Sequence, residues 1–158
     1  MQSNKTSSIE RVRQQANALD LPINILELPD STRTAEEAAT ACKCDVGQII
    51  KSMIFERTDD NSLVLILVSG AHNADMGRLK DYFGCKLQRA DPKKIREETG
   101  FAIGGISPIG HLNPISTFVD KTLLNFEIVW AAAGKPNAVF SVDPTRLVGA
   151  IGATQIDV

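Results

Sequence analysis

Leu63–Val68 is a run of six apolar residues drawn only from Leu, Val and Ile. It is too short for a buried helix and rich in β-branched side chains, so it reads as a strand. A strand with no polar alternation has to be covered on both of its faces. The chain must therefore place further elements on either side of it. That requirement excludes a flat sheet with one wet face. Lys51–Glu56 reads as a neighbouring strand, and Asp59-Asp60-Asn61 as the turn that joins the two into a hairpin.

The covering elements are legible from their ends. Ser7-x-x-Glu10 and Thr34-x-x-Glu37 have the form of capping boxes. After the first, Ile9, Val12, Ala16 and Leu19 share a helical face until Pro22 ends the helix. Ile23–Leu28 reads as a short strand closed by Pro29. After the second box, Ala35, Ala38, Ala39 and Cys42 form an apolar stripe, and Val46–Ile50 adds a further turn. Asn73 is expected to cap a helix carrying Met76, Leu79 and Phe83, with Gly84 as its stop. Asp91-Pro92 and Asp143-Pro144 each set a capping carboxylate before a proline at the first helical position. Gly100 ends the first of these helices. Strands are expected at Ile115–Val119, Glu127–Ala132 and Ala138–Val142, the last two joined through Gly134-Lys135-Pro136-Asn137. There is no repeat, low-complexity stretch or linker. The mixture predicts a single α+β domain over residues 1–158, with a mixed or mostly antiparallel sheet.

Charge narrows the function. Lys plus Arg is 17 and Asp plus Glu is 19, so the total does not mark a general polyanion binder. The distribution is uneven, however. Arg78, Lys80, Lys86, Arg89, Lys93, Lys94 and Arg96 face only Asp81 and Asp91 in their segment. That segment is net +5, which leaves −7 on the rest. A basic lobe of this kind suits a phosphate backbone; two solvated helix faces would look the same.

No apolar run approaches the length of a membrane span, and the polar start Met1–Ser8 lacks a signal core. Cys42 and Cys44 form C-x-C, which is not zinc spacing, and Cys85 stands alone. A reduced, cytoplasmic chain with small buried thiols is expected. His72 and His111 are too far apart in sequence to suggest a metal site, and no metal or cofactor is expected. Neither G-x-S-x-G nor G-x-x-x-x-G-K-[ST] occurs.

Three features remain. Lys51 lies between Ile49-Ile50 and Met53-Ile54-Phe55, where a lysine either snorkels from a strand edge or binds an anion. Gly104-Gly105-Ile106-Ser107-Pro108-Ile109-Gly110 either makes tight turns or brings bare backbone amides to a ligand. Asp120 follows an apolar strand, where a cap is its ordinary role.

Set together, Ile49–Phe55, Gly104–His111, Phe118-Val119-Asp120 and Ala133–Asn137 resemble the YbaK/ProX family. Its members are free-standing aminoacyl-tRNA editing domains similar to the editing insertion of bacterial prolyl-tRNA synthetase. The resemblance is strongest over residues 34–147. It implies an α+β domain with a curved sheet flanked by helices. It implies hydrolysis of the ester between a wrong amino acid and the terminal adenosine of a tRNA, with tRNA for proline the expected substrate. The family lysine falls on Lys51 and the family G-x-x-x-P loop on Gly104–Pro108.

The implied catalytic residues are Lys51 and Gly104. Ser52, Gly105, Ile106, Ser107, Pro108, His111, Asp120 and Gly134 are implied around the substrate, and Lys86, Arg89, Lys93, Lys94 and Arg96 along the RNA. An activated ester needs geometry more than a strong nucleophile. Amides of the Gly104–Ser107 loop would meet the developing oxyanion, and Lys51 would act as a point charge on the terminal phosphate or adenosine. Cysteine-clearing relatives often carry Ser at the position of Ala132 and Asp at that of Val139. The apolar residues here favour alanine, serine or threonine, with cysteine less well matched. The partners implied are the aminoacyl end of tRNA and a synthetase. A module that binds aminoacyl-tRNA or a nucleotide without turnover is the alternative, and hydrolysis of a small acyl-nucleotide a third.

Overall fold

The computed structural model describes residues 7–29, 32 and 34–158. The polar start at residues 1–6 lies outside the described residues. The elements run α1 (Ser8–Ala18), β1 (Asn24–Glu27), α2 (Ala35–Cys42), β2 (Ile50–Arg57), β3 (Leu63–Ser69), α3 (Met76–Phe83), β4 (Leu87–Arg89) and α4 (Pro92–Thr99). They continue with β5 (Ser116–Asp120), β6 (Val129–Ala132), β7 (Ala138–Val142), α5 (Pro144–Ile151) and β8 (Thr154–Ile156). The expected α+β architecture, a mixed sheet flanked by helices, is what forms.

β3 is the centre, and every one of its residues is buried. It pairs antiparallel with β2 and parallel with β5, in the order β4-β2-β3-β5-β8. One face, with Leu65 and Leu67, packs on α1, the loop after α4 and the second sheet. The other, with Val64, Ile66 and Val68, packs on Leu79 and Phe83 of α3. Each such fully buried side chain contributes about 1.5–3 kcal/mol. The second sheet has the order β1-β7-β6, all antiparallel. It joins the first through one parallel bridge, Ile49 to Trp130. Beyond that bridge no ladder continues between β2 and β6, so the two strands open a wedge.

Most helix ends follow the sequence reading. Thr34 and Glu37 exchange both bonds of a capping box. Ser7 Oγ accepts from Glu10 N–H at 3.1 Å, but the Glu10 carboxylate turns to Arg13 instead. One expected cap is corrected: α3 is capped by Asp75, whose side chain accepts from Arg78 N–H, and not by Asn73. Asp and Asn are near-equal caps, so spacing alone does not separate two candidates this close. β4 and β8 have no strand signature of their own. Each is three residues long and exists only by pairing, with β2 and β5 respectively.

Candidate active site

The wedge between β2 and β6 holds a cavity of about 310 Å³. Lys51 and Ser52 of β2 line one wall, and Ile103, Gly104 and Ile106 another. Trp130, Ala131 and Ala132 of β6, with Ala138 and Val139 of β7, close it. Ala35 and Ala38 of α2, with its cap Thr34, also line it. The lysine strand and the glycine loop, about 50 residues apart in sequence, thus share one space.

β2 faces this space with unpaired backbone. Gly70 N–H donates to Ile49 O at 2.7 Å, so alternation points the peptide groups of Ile49 and Lys51 at β3. The groups of Ser52 then point to the opposite edge. There β4 pairs only with Phe55–Arg57, and the one ladder bridge from β6 is to Ile49. The Ser52 hydroxyl is also free: it is the one buried side-chain polar atom among the described residues with no partner.

The loop is shaped to present donors. Gly104 has φ +99°, a conformation that side chains disfavour. A Cβ at Gly105 would lie 2.9 Å from the backbone N and Cα of Lys135, so only glycine fits there. The Gly105 amide is already engaged by Ala102 O at 3.0 Å. Among the described residues, the amides of Gly104, Ile106 and Ser107 have no hydrogen-bond partner. The carbonyls at the ends of the loop and at Ser107, by contrast, are held. Arg11 Nη2 donates to Gly100 O at 2.6 Å and Nε to Gly110 O at 3.2 Å, while its guanidinium lies over the Phe101 ring. His111 Nε2 meets Ser107 O at 2.6 Å; since a carbonyl only accepts, Nε2 carries the proton. Burial pushes His111 below the usual histidine range, and the charge on Arg11 adds to this against the bond to Ser107.

The Lys51 side chain leaves β2 on the face opposite to that of Ser52. Its ammonium donates to His72 O. The His72 ring pairs through Nδ1 with Asp120 Oδ2 at 2.9 Å. Asp120 is 1% exposed and also caps the short 3-10 turn Lys121–Asn125, accepting from Thr122 N–H. Both readings of Asp120, a cap and something more, therefore hold together.

The remaining predicted residues are spread out. Pro108 and His111 line a separate cavity of about 360 Å³, with Gln15, Leu112 and Ile115. Ser107 is fully buried beneath the loop, its hydroxyl accepting from Ile109 N–H. Gly134 sits against α1, where a Cβ would meet Ser8 at 2.8 Å. Asp120 borders a third cavity, of about 340 Å³, with His72, Arg78 and Thr122. Lys86 and Arg89 lie on or beside β4, and Lys93, Lys94 and Arg96 on α4. Arg89 stands opposite Phe55, about 13 Å along β2 from Lys51. Lys94 is tied to Glu56 at 3.4 Å and to Asn61 O at 2.6 Å; Lys86, Arg89, Lys93 and Arg96 are exposed.

Sequence reasoning missed His72 and Arg11. A histidine in a turn and an arginine on a capped helix have no local signature, because their partners lie 48 and 89–99 residues away. The three cysteines are free and only half-buried. Burial raises Cys42, and burial with Cys42 and Asp45 nearby pushes Cys44 up to about 11. These two thiols are therefore poor nucleophiles at neutral pH. No helix among the described residues is long and apolar enough to cross a membrane.

A family model described as an aminoacyl-tRNA editing domain matches residues 29–150. The chain is 28% identical over 140 residues to the uncharacterized protein YwhH of Bacillus subtilis, covering 89% of this chain and 88% of that one. It is 37% identical over 92 residues to the proline–tRNA ligase of Thermosipho melanesiensis, covering 58% of this chain but 16% of the ligase. A solved structure of a protein proposed to be a trans-editing enzyme for prolyl-tRNA synthetase superimposes with a TM-score of 0.89. It is 40% identical, with 98% of each chain covered.

Proposed function

The chain belongs to the aminoacyl-tRNA editing domain family, and on that premise we propose that it is a deacylase acting in trans. It hydrolyses the ester joining a wrongly attached small amino acid (alanine, serine, threonine or cysteine) to the terminal adenosine of tRNA for proline. The cavity shared by Lys51, Ser52 and Gly104 carries this reading. Its volume sits near the lower end for small-molecule sites, enough for an aminoacyl group with part of the ribose. Ala131, Ala132, Ala138 and Val139 give it a small apolar wall. Such a wall limits side-chain size, although each methylene counts for only about 1–3 kcal/mol.

The steps follow from the groups present. A water adds to the ester carbonyl, and the negative charge that develops on the oxygen is met by the free amides of Gly104 and Ile106. The tetrahedral carbon then expels the ribose oxygen, which takes up a proton, and the neighbouring ribose hydroxyl relays it. The products are the free amino acid and tRNA with both terminal hydroxyls restored. Ser52 Oγ supplies a hydrogen bond to the acyl group that nothing in the protein supplies to Ser52. Lys51 holds the phosphate or adenosine end as a fixed positive charge. The exposed cations on β4 and α4 contact the RNA away from the ester. The same reading has the protein working in the cytoplasm, on tRNA free or still held by a synthetase.

The test is a panel of mischarged tRNAs with wild type and Lys51→Ala. Multiple-turnover release of amino acid is expected from the wild type, and a loss on the order of 10²–10³-fold from the variant. Release at an unchanged rate by Lys51→Ala would falsify the assignment. Binding without release would identify a recognition module instead.

A further inference from the structure

Lysine is a flexible choice for a fixed charge, since its four-carbon stem has rotamer entropy to lose. Something must hold it. Lys51 stands in register with Val68, and Val119 with Leu67, so Lys51 and Asp120 lie on one sheet face with β3 between them. Two strand spacings, about 10 Å, separate their backbones. No ion pair joins the two among the described residues, and His72 in the turn after β3 contacts both.

Asp120 organises that turn. Its Oδ2 accepts from Ser69 N–H at 3.1 Å and from His72 Nδ1–H at 2.9 Å. Its Oδ1 accepts from Thr122 N–H at 3.0 Å and Thr122 Oγ–H at 2.7 Å. Burial alone would raise this carboxyl, but the donors from His72, Thr122 and Ser69 hold it below the usual carboxylate range, so it is charged. Within the turn, His72 N–H donates to Ser69 O at 2.9 Å, and Ser69 Oγ–H donates to Gly47 O at 2.8 Å. The turn is thus pinned at Ser69 and at the His72 ring. The carbonyl at its end is the one that receives the Lys51 ammonium.

We propose that Asp120 and His72 are positioning residues for Lys51. They fix the carbonyl that holds its ammonium, and do not themselves touch the reacting ester. The inference rests on the deacylase reading for its kinetic consequence, but not for its structural one.

The experiment combines two readouts on Asp120→Asn, His72→Ala and the double variant. His72→Ala is the sharper probe, because it keeps the backbone carbonyl and removes only the tie to Asp120. Side-chain ammonium NMR on protein labelled with ¹⁵N-lysine follows Lys51 directly, its signal identified by its loss in Lys51→Ala. A slowly exchanging Lys51 signal is expected in the wild type and should vanish in each variant while the backbone spectrum stays folded. In deacylation, kcat should fall about tenfold with KM changed less than twofold. The double variant should be no worse than the worse single one, and the pH–rate profile should keep its shape. A Lys51 signal that survives in His72→Ala overturns the proposal. So does loss of an ionisation from the profile of His72→Ala, since His72 would then be an acid or base in its own right. If the wild type releases no amino acid while the NMR responds as expected, the deacylase reading fails and the positioning of Lys51 stands.

Discussion

The two walls of the cavity are held by opposite kinds of group. The lysine wall is regular strand, and what needs fixing is one cationic side chain. A buried anion does it, through the turn after β3. The loop wall has no ladder, and what needs fixing is the backbone. Here a cation and a neutral imidazole do it, and both act on carbonyls: Arg11 on Gly100 and Gly110, His111 on Ser107. A loop held by its carbonyls keeps its amides for a ligand. The lesson is that each wall is anchored by the chemistry it does not offer to the substrate.

The largest effect that would sharpen this contrast is expected from Gly105→Ala. The added methyl meets Lys135 backbone at 2.9 Å, where no flexible side chain can yield. The loop must shift, and displacement of reacting groups by about 1 Å costs on the order of 10²-fold. Steady-state deacylation should show that loss in kcat, with overpacking lowering stability by about 1–3 kcal/mol. A variant with wild-type kcat would mean that the loop geometry does not set the rate.

Arg11→Ala comes next, and tests whether the loop is held from outside. Two carbonyls lose a charged donor and Phe101 loses its stacked guanidinium. Hydrogen bonds to charged groups contribute about 1.5–3 kcal/mol, so urea unfolding should show a loss of that order. Arg11→Lys should recover little of it, since one ammonium does not span two carbonyls as a planar fork does. Full recovery with lysine would break the comparison, because any positive charge would then suffice. The family model begins at residue 29, so this clamp comes from a helix outside the matched region.

How much of this was readable in advance depends on the range of each interaction. The buried β3, the hairpin with β2, the β6–β7 hairpin and four of the five helix starts follow from local pattern. So did Lys51 and the glycine loop as a pair, through the resemblance of their motifs. The supports were not readable. Asp120 looks like a cap, and is one; that the same carboxylate reaches back to Ser69 and His72 depends on β3 and β5 lying parallel side by side. Arg11 reads as one more solvent-facing charge on α1. Gly105 and Gly134 read as turn residues, whereas their lack of a side chain is what lets them touch Lys135 and Ser8. Local sequence encodes the elements, and the anchors appear only when elements distant in the chain are brought together.

The smallest effect concerns His111, which separates the neutral anchor from the charged one. Burial beside Arg11 depresses its folded-state affinity for a proton, while an unfolded histidine titrates near about 6.5. Below that value the unfolded chain binds the extra proton more readily. The contribution of His111 is therefore complete above the unfolded value and declines as pH falls towards the folded one. His111→Gln keeps an N–H donor for Ser107 O and removes the titration. Thermal melts from pH 7.5 to 5 should show the wild type losing more Tm on acidification than the variant. The gap should be small beside the losses expected from Gly105→Ala and Arg11→Ala. A wild type that loses less Tm than the variant would mean that the imidazole is charged where it meets Ser107. The loop wall would then be held by two cations, and the difference between its anchors would disappear.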